Sequence, residues 1–211
     1  MFKNRIDAGR QLAEKLMKFK GENVVVLAIP RGGLPLGEII AKALKVPLDV
    51  SLTKKIGHPF NKEYAIGAVS LEGIILMDEI EVSKDYIEEE TSRIRQKLKK
   101  RQDEYYKNRA PMNLEKKTVI VVDDGIATGN TILATADLIK KQKPNKIVVA
   151  VPVAPHSAIQ KLKDSDNVDE VICLDTPNNF RAVGQFYENF EQVPDVEAIK
   201  LLEDAYTGNK N

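Results

Sequence analysis

Two kinds of hydrophobic spacing alternate along the chain. Val24 to Ile29, Val119 to Val122 and Lys146 to Val153 are short and apolar at nearly every position, rich in β-branched residues. They lack the in–out alternation of a half-exposed strand and so predict strands of a parallel sheet covered on both faces. Pro47 to Thr53 and Val168 to Leu174 read as two further strands. Between them the apolar positions recur every third or fourth residue. This predicts a helix from Asp7, as N-cap, to Phe19, carrying Leu12, Ala13 and Leu16. Further helices are expected up to about Leu44, from about Thr131 to Lys141, from Ser157 to Lys163, and from Asp195 to Asp204. Strand alternating with helix argues one α/β domain over residues 1–211, a parallel Rossmann-like sheet flanked by helices with right-handed crossovers.

One stretch interrupts this rhythm. Tyr64 to Val69 and Gly73 to Met77 predict two short strands around the turn Leu71-Glu72-Gly73. Ser83 to Lys107 is a charged helix with Ile87, Thr91, Ile94, Leu98 and Tyr105 near heptad positions, a stripe for the body of the protein or for a second subunit. Arg109-Ala110-Pro111 ends the excursion. The insertion therefore covers about residues 56–112.

Composition narrows the function classes. With 211 residues, 43% of them hydrophobic and 30% charged, the chain has room for one sizeable core plus an insertion. A net charge of +1 gives no global field for nucleic acid or anionic membrane. The single cysteine, Cys173, excludes an internal disulfide framework and suits a reducing compartment. Its neighbours Val171, Ile172 and Leu174 mark a packing role. Two histidines and one cysteine argue against structural zinc. No apolar signal segment or membrane-length run is seen, so a cytoplasmic protein is expected.

The chemistry concentrates after two of the strands. Asp123 and Asp124 follow the run Val119 to Val122, at the strand end where open α/β sheets place ligands. Gly125-Ile126-Ala127-Thr128-Gly129-Asn130-Thr131 then opens a helix. Small residues let backbone N–H groups converge on an anion, Thr128 and Thr131 add hydroxyls, and the helix N-terminus adds partial positive charge. This describes a monophosphate cradle, although a plain strand-to-helix turn has similar composition. The two carboxylates before it suit sugar hydroxyls or a hydrated Mg²⁺. After the first strand comes Pro30-Arg31-Gly32-Gly33-Leu34-Pro35-Leu36-Gly37, again strand, glycine turn, helix, with Gly32 and Gly33 expected to expose N–H groups and Arg31 to supply charge. It is neither a dinucleotide fingerprint nor a Walker loop. Lys54 and Lys55 follow the next strand, as anion ligands or as solvated side chains, and His58 reads as loop filler more readily than as a chemical group.

Val119 to Ile132, with its four hydrophobic residues, acid pair and Thr-Gly-x-Thr loop, resembles the phosphoribosyl pyrophosphate (PRPP) motif of the type I phosphoribosyltransferases. The resemblance implies that fold, with Asp123 and Asp124 on the ribose hydroxyls and Gly125 to Thr131 on the 5-phosphate. It also implies Arg31, Gly32 and Gly33 on the diphosphate, with Lys54 or Lys55 beside them, and a flexible flap between the third strand and the motif. A hood near a chain terminus would cover the base, which here means about residues 175–211. Phe180, Phe186 and Tyr187 could stack on a heterocycle there, or simply anchor the tail. The overall pattern, Pro30-Arg31-Gly32-Gly33-x-Pro35-x-Gly37 early, Val122-Asp123-Asp124-Gly125-x-Ala127-Thr128-Gly129 centrally and Phe180-x-Ala182-Val183-Gly184-x-Phe186-Tyr187 late, is similar to a bacterial and archaeal group of predicted phosphoribosyltransferases.

The implied reaction displaces pyrophosphate from C1 of PRPP by a ring nitrogen of a base, with Mg²⁺ as cofactor and Asp123, Asp124 and Arg31 as its principal residues. Hypoxanthine–guanine enzymes carry an Asp where this chain has Ala127, and alanine cannot exchange a proton. The lysine- and acid-bearing flap motif of orotate enzymes is not found in residues 62–112. Two other classes stay open: a PRPP- or nucleotide-sensing regulator on the same fold, and a Mg²⁺-dependent phosphohydrolase using the acid pair.

Overall fold

In a computed structural model, which describes residues 1–62, 64–76, 81–107 and 109–208, the chain begins with helix α1, Arg5–Leu16, continued by a 3₁₀ turn to Phe19. The cap is Asn4 rather than Asp7. The Asp7 N–H donates to Asn4 Oδ1 at 3.0 Å, and the Asp7 carboxylate accepts from Lys3 N–H at 3.0 Å. The short Asn amide reaches the open N–H groups of the first turn while Asp7, inside that turn, faces the positive end of the helix dipole.

Strand β1, Val24–Ala28, leads into α2, Gly33–Leu44, and β2, Leu48–Val50. After the insertion come β6, Thr118–Val122; α4, Asn130–Lys140; β7, Lys146–Val153; α5, His156–Lys163; β8, Glu170–Asp175; and α6, Asp195–Gly208. The parallel sheet has the order β2-β1-β6-β7-β8. Successive residues of each strand turn to opposite faces. Val24, Val26, Ala28, Ile120, Val122 and Val148 pack with residues of α1, α2 and α6. Val25, Leu27, Val119, Val121, Ile147 and Val149 pack with α4 and α5. Both faces are covered, which is why these strands are apolar throughout.

The insertion departs from expectation at its start. Lys54 and Lys55 do not end β2. They open β3, Lys54–Gly57, which pairs antiparallel with β4, Ala65–Val69, and that with β5, Ile74–Leu76, in a separate three-stranded sheet. Met77, expected in the last of these, lies outside the described residues. Helix α3, Lys84–Tyr106, capped by Ser83, covers that sheet. Ile94 and Leu98 join Ile56, Ile66 and Val69 in a small core, and Tyr105 and Tyr106 reach the main one. The stripe expected to serve the body or a second subunit is thus buried within its own chain.

The two ends of the chain meet. Phe2 N–H donates to Phe186 O at 2.8 Å and Glu188 N–H to Phe2 O at 2.9 Å. Ala198, Leu202 and Ala205 of α6 are buried in the main core. Residues 175–208, expected as a hood, are therefore fastened to the body; residues 209–211 lie outside the described residues.

Candidate functional site

The sheet order reverses between β1 and β6, which leave in opposite directions across the sheet, and such a switch point opens a crevice at the strand ends. Ala28 pairs with Val122, and Ile29 N–H donates to Val122 O at 2.8 Å, so the two glycine turns emerge side by side. They touch. A Cβ on Gly32 would lie 2.0 Å from Asp124 Oδ2, and one on Gly33 would lie 2.4 Å from Val122 O. These glycines let the first turn close on the acid pair. Gly33 N–H donates within its own turn to Ile29 O at 3.0 Å, so it is not offered to an anion as the sequence suggested. The Pro30–Arg31 peptide is cis. The Arg31 guanidinium stays partly exposed, its Nη1 3.5 Å from Asp195 Oδ2, a long solvent-facing pair that holds it loosely.

The acid pair is enclosed and short of positive charge. Asp123 Oδ1 accepts from Asp124 N–H at 2.8 Å. Burial, and then the neighbouring Asp124 charge, push the Asp123 carboxyl well above the usual range. Burial also raises Asp124, against the pull of Arg5. Arg5 Nε and Nη2 each lie 2.8 Å from Asp124 Oδ2, its Nη1 donates to Glu191 O at 2.6 Å, and its guanidinium lies 4.0 Å over the Phe190 ring. Sequence reasoning missed Arg5. The signal was there: a cation in the first turn of a helix sits against the dipole, so it answers to something outside the helix.

Mg²⁺ fits this deficit. No cluster of three or more His, Cys, Asp or Glu able to hold a metal occurs among the described residues. The chain would supply at most the two carboxylates, and Mg²⁺ commonly takes one or two carboxylates and completes its shell with water and substrate phosphate.

Beyond the pair, Gly125 is wedged against Val183, and Ile126 N–H donates to Val153 O at 2.9 Å. Ile126 is buried in the core with its N–H engaged, so of the expected 5-phosphate residues it is the one that faces inward. Ala127, Thr128 and Thr131 are exposed. Gly129 adopts φ +79, a left-handed conformation suited to glycine, and opens α4 at Asn130. Lys161 of α5, not singled out from the sequence, donates to Asn130 Oδ1. It brings a cation to the helix N-terminus.

The other expected residues are divided. Lys54 and Lys55 are consecutive in β3 and point to opposite faces. Lys55, expected beside the diphosphate, lines a hollow of about 350 Å³ with Asn130, Leu133 and Lys161, at the start of α4. His58 accepts from Phe60 N–H at 3.3 Å within its own loop. Phe180 and Phe186 stack on each other, centroids 5.4 Å apart, partly buried against the core. Tyr187 is an anchor: buried, in ring contact with Phe2 and Phe190, with its hydroxyl donating to Asp124 O at 2.6 Å. The Cys173 thiol is pushed up to about 11 by burial, as suits packing.

Comparison with known proteins agrees with this geometry. A family model described as "Phosphoribosyl transferase domain" matches residues 2–191. The Mycobacterium tuberculosis protein named "Putative phosphoribosyl transferase Rv0571c" is 37% identical over 211 residues, 98% of this chain and 47% of that protein. The chain thus spans about half the length of the curated relatives it matches. The crystal structure of TT1426 from Thermus thermophilus superposes with a TM-score of 0.88 at 37% identity, covering 96% of this chain and 98% of that one. A Neisseria gonorrhoeae protein crystallised with bound ppGpp shares the fold at a TM-score of 0.51 and 15% identity, covering 97% of this chain and 98% of that one.

Proposed function

The chain belongs to the phosphoribosyl transferase family, and we propose that it transfers the 5-phosphoribosyl group of PRPP to a ring nitrogen of a base. The observation that carries this reading is the contact between the two glycine turns: Gly32 leaves no room for a side chain against Asp124. A diphosphate at Arg31, a ribose at the acid pair and a phosphate at the start of α4 then lie in the order in which PRPP carries them.

Each part has a task. The first turn of α4 and the Thr128 and Thr131 hydroxyls hold the 5-phosphate. Asp123 and Asp124 accept hydrogen bonds from the 2- and 3-hydroxyls of the ribose, and a ligand that donates to them relieves the cost of their burial. Arg31 faces the diphosphate, and Lys55 and Lys161 add positive charge at the 5-phosphate end. Mg²⁺, when bound, draws off charge from the departing diphosphate. The C1–O bond breaks with its electron pair leaving on pyrophosphate, the acceptor lone pair forms the C1–N bond, and the nitrogen's proton passes to the departing pyrophosphate. The transition state is oxocarbenium-like, so a held ribose and exclusion of water are what the protein supplies. Ala127 offers no proton acceptor beside the base.

The test is base-dependent pyrophosphate release from PRPP and Mg²⁺, followed by ³¹P NMR across a panel of purines and pyrimidines. Release that needs one base and stops in Asp123→Asn/Asp124→Asn supports transfer. PRPP binding without release for any base would leave a sensor.

A further inference from the structure

A second hollow of about 350 Å³ lies on the α4 side of the sheet, where the insertion meets the body. Its walls come from the end of β2, the turn between β4 and β5, the last turns of α3, residues 111–114, and the second half of α4. Neither Arg31, Gly32 and Gly33 nor any residue from 123 to 131 lines it. Helix α4 joins the adjacent parallel strands β6 and β7, so it runs from the Gly129 turn back toward the starts of the strands. At 1.5 Å per residue, Thr135 lies about 8 Å and Ile139 about 14 Å along its axis from Asn130.

The lining is built. Asp49 is 3% exposed, a buried carboxylate for which the proposed transfer has no use. Its Oδ1 accepts from the Tyr106 hydroxyl and from Val50 N–H, while its Oδ2, among the described residues, accepts from Met112 N–H alone, at 2.7 Å, leaving that oxygen able to accept again. Ser51, Thr135, Gln102 and Asn113 add neutral donors and acceptors, and Leu114 and Leu138 supply apolar surface. Among the described residues no lysine, arginine or histidine lines the cavity, and Glu72 adds a second carboxylate. A phosphate or carboxylate ligand would meet two carboxylates in the lining, with the nearest described cation, Arg109, outside it. Apolar walls, convergent neutral hydrogen bonders and one buried acceptor suit an uncharged flat ring bearing N–H groups. The volume is at the small end of ligand pockets, which run from about 300 to 1,000 Å³.

We propose that this cavity is a second ligand site, taking an uncharged, phosphate-free nitrogen heterocycle of nucleobase size with a ring N–H on Asp49 Oδ2. An occupant touches α4 on one side and the Ser70–Glu72 turn on the other, so it fastens the insertion to the body. The site stands whether or not the acid pair takes PRPP.

The test is calorimetric titration with adenine, hypoxanthine and uracil, each without PRPP. It uses wild type, Asp123→Asn/Asp124→Asn, and two variants that fill the hollow from different walls, Leu138→Trp and Gln102→Trp. Gln102 is only partly buried, so it keeps the test available if Leu138→Trp does not fold. At least one base should bind wild type and the acid-pair variant alike, and should bind a folded filled-cavity variant about tenfold more weakly or worse. Binding lost in the acid-pair variant, binding unchanged by filling, or no binding of any of the three bases to wild type would each overturn the proposal.

Discussion

Arg5 and Asp124, 119 residues apart, are joined by two contacts of 2.8 Å from the guanidinium to a single carboxylate oxygen. Both side chains are close to fully enclosed, at 12% and 14% exposure. The same arginine holds the Glu191 carbonyl and the Phe190 ring, so the start of α1 and the tail after β8 are both fastened behind the acid pair.

Removing that guanidinium leaves a buried carboxylate beside another. Loss of one partner of a fully buried pair costs about 3–5 kcal/mol, and the residual exposure here brings the expectation for Arg5→Met down to about 2 kcal/mol. Urea unfolding at pH 7 reads it. Arg5→Lys should recover part of the loss, since an ammonium restores the charge without the fork.

The acid pair sets a pH dependence whose sign can be worked out. Both carboxyls have folded-state values raised above the ordinary 3.8. The folded protein therefore binds more protons than the unfolded chain between those values, and stability falls as pH rises through the folded values. Without ligand, the protein should become more stable as pH drops from neutral toward the mildly acid range. Asp123→Asn, which removes the buried charge, should be more stable than wild type at pH 7, by about 1 kcal/mol, and show a flatter profile. Thermal melts across pH check both.

Gly32 has no space for a methyl group, because its Cβ would fall 2.0 Å from Asp124 Oδ2. In Gly32→Ala either the turn or the carboxylate must move. PRPP affinity should drop by at least about tenfold, roughly 1.4 kcal/mol, while Gly21→Ala, at a turn of φ +90 with nothing within 4 Å, should cost stability through backbone strain but leave the affinity unchanged. Fluorescence or calorimetric binding distinguishes them.

Much of this was legible in the chain. Strands apolar at every position announced a sheet covered on both faces, and the acid pair followed by Thr128-Gly129-Asn130-Thr131 announced the strand end and the helix start. What stayed hidden depends on long-range contact. Arg5 gains its role only when the fold carries it across 119 residues to Asp124. Tyr187 could have covered a ligand or anchored the tail, and only the positions of Phe2 and Phe190 decide for the anchor. Lys54 and Lys55 looked like the end of a strand because local composition does not say when a chain leaves one sheet for another.

The exposed hydroxyls of Thr128 and Thr131 can be tested singly. A hydrogen bond to a charged group contributes about 1.5–3 kcal/mol, so Thr128→Val or Thr131→Val should raise the Kd for PRPP by about 10- to 150-fold. Free pyrophosphate, which lacks the 5-phosphate, should bind each variant as it binds wild type.

Whether the acid pair holds the ribose of PRPP is decided by calorimetric titration of PRPP with Mg²⁺, on wild type and on Asp123→Asn/Asp124→Asn. Wild type should show saturable one-to-one binding that disappears in the folded variant. Wild-type protein that takes up no PRPP, or a variant that binds it as tightly as wild type, would contradict the assignment of the ribose to the acid pair.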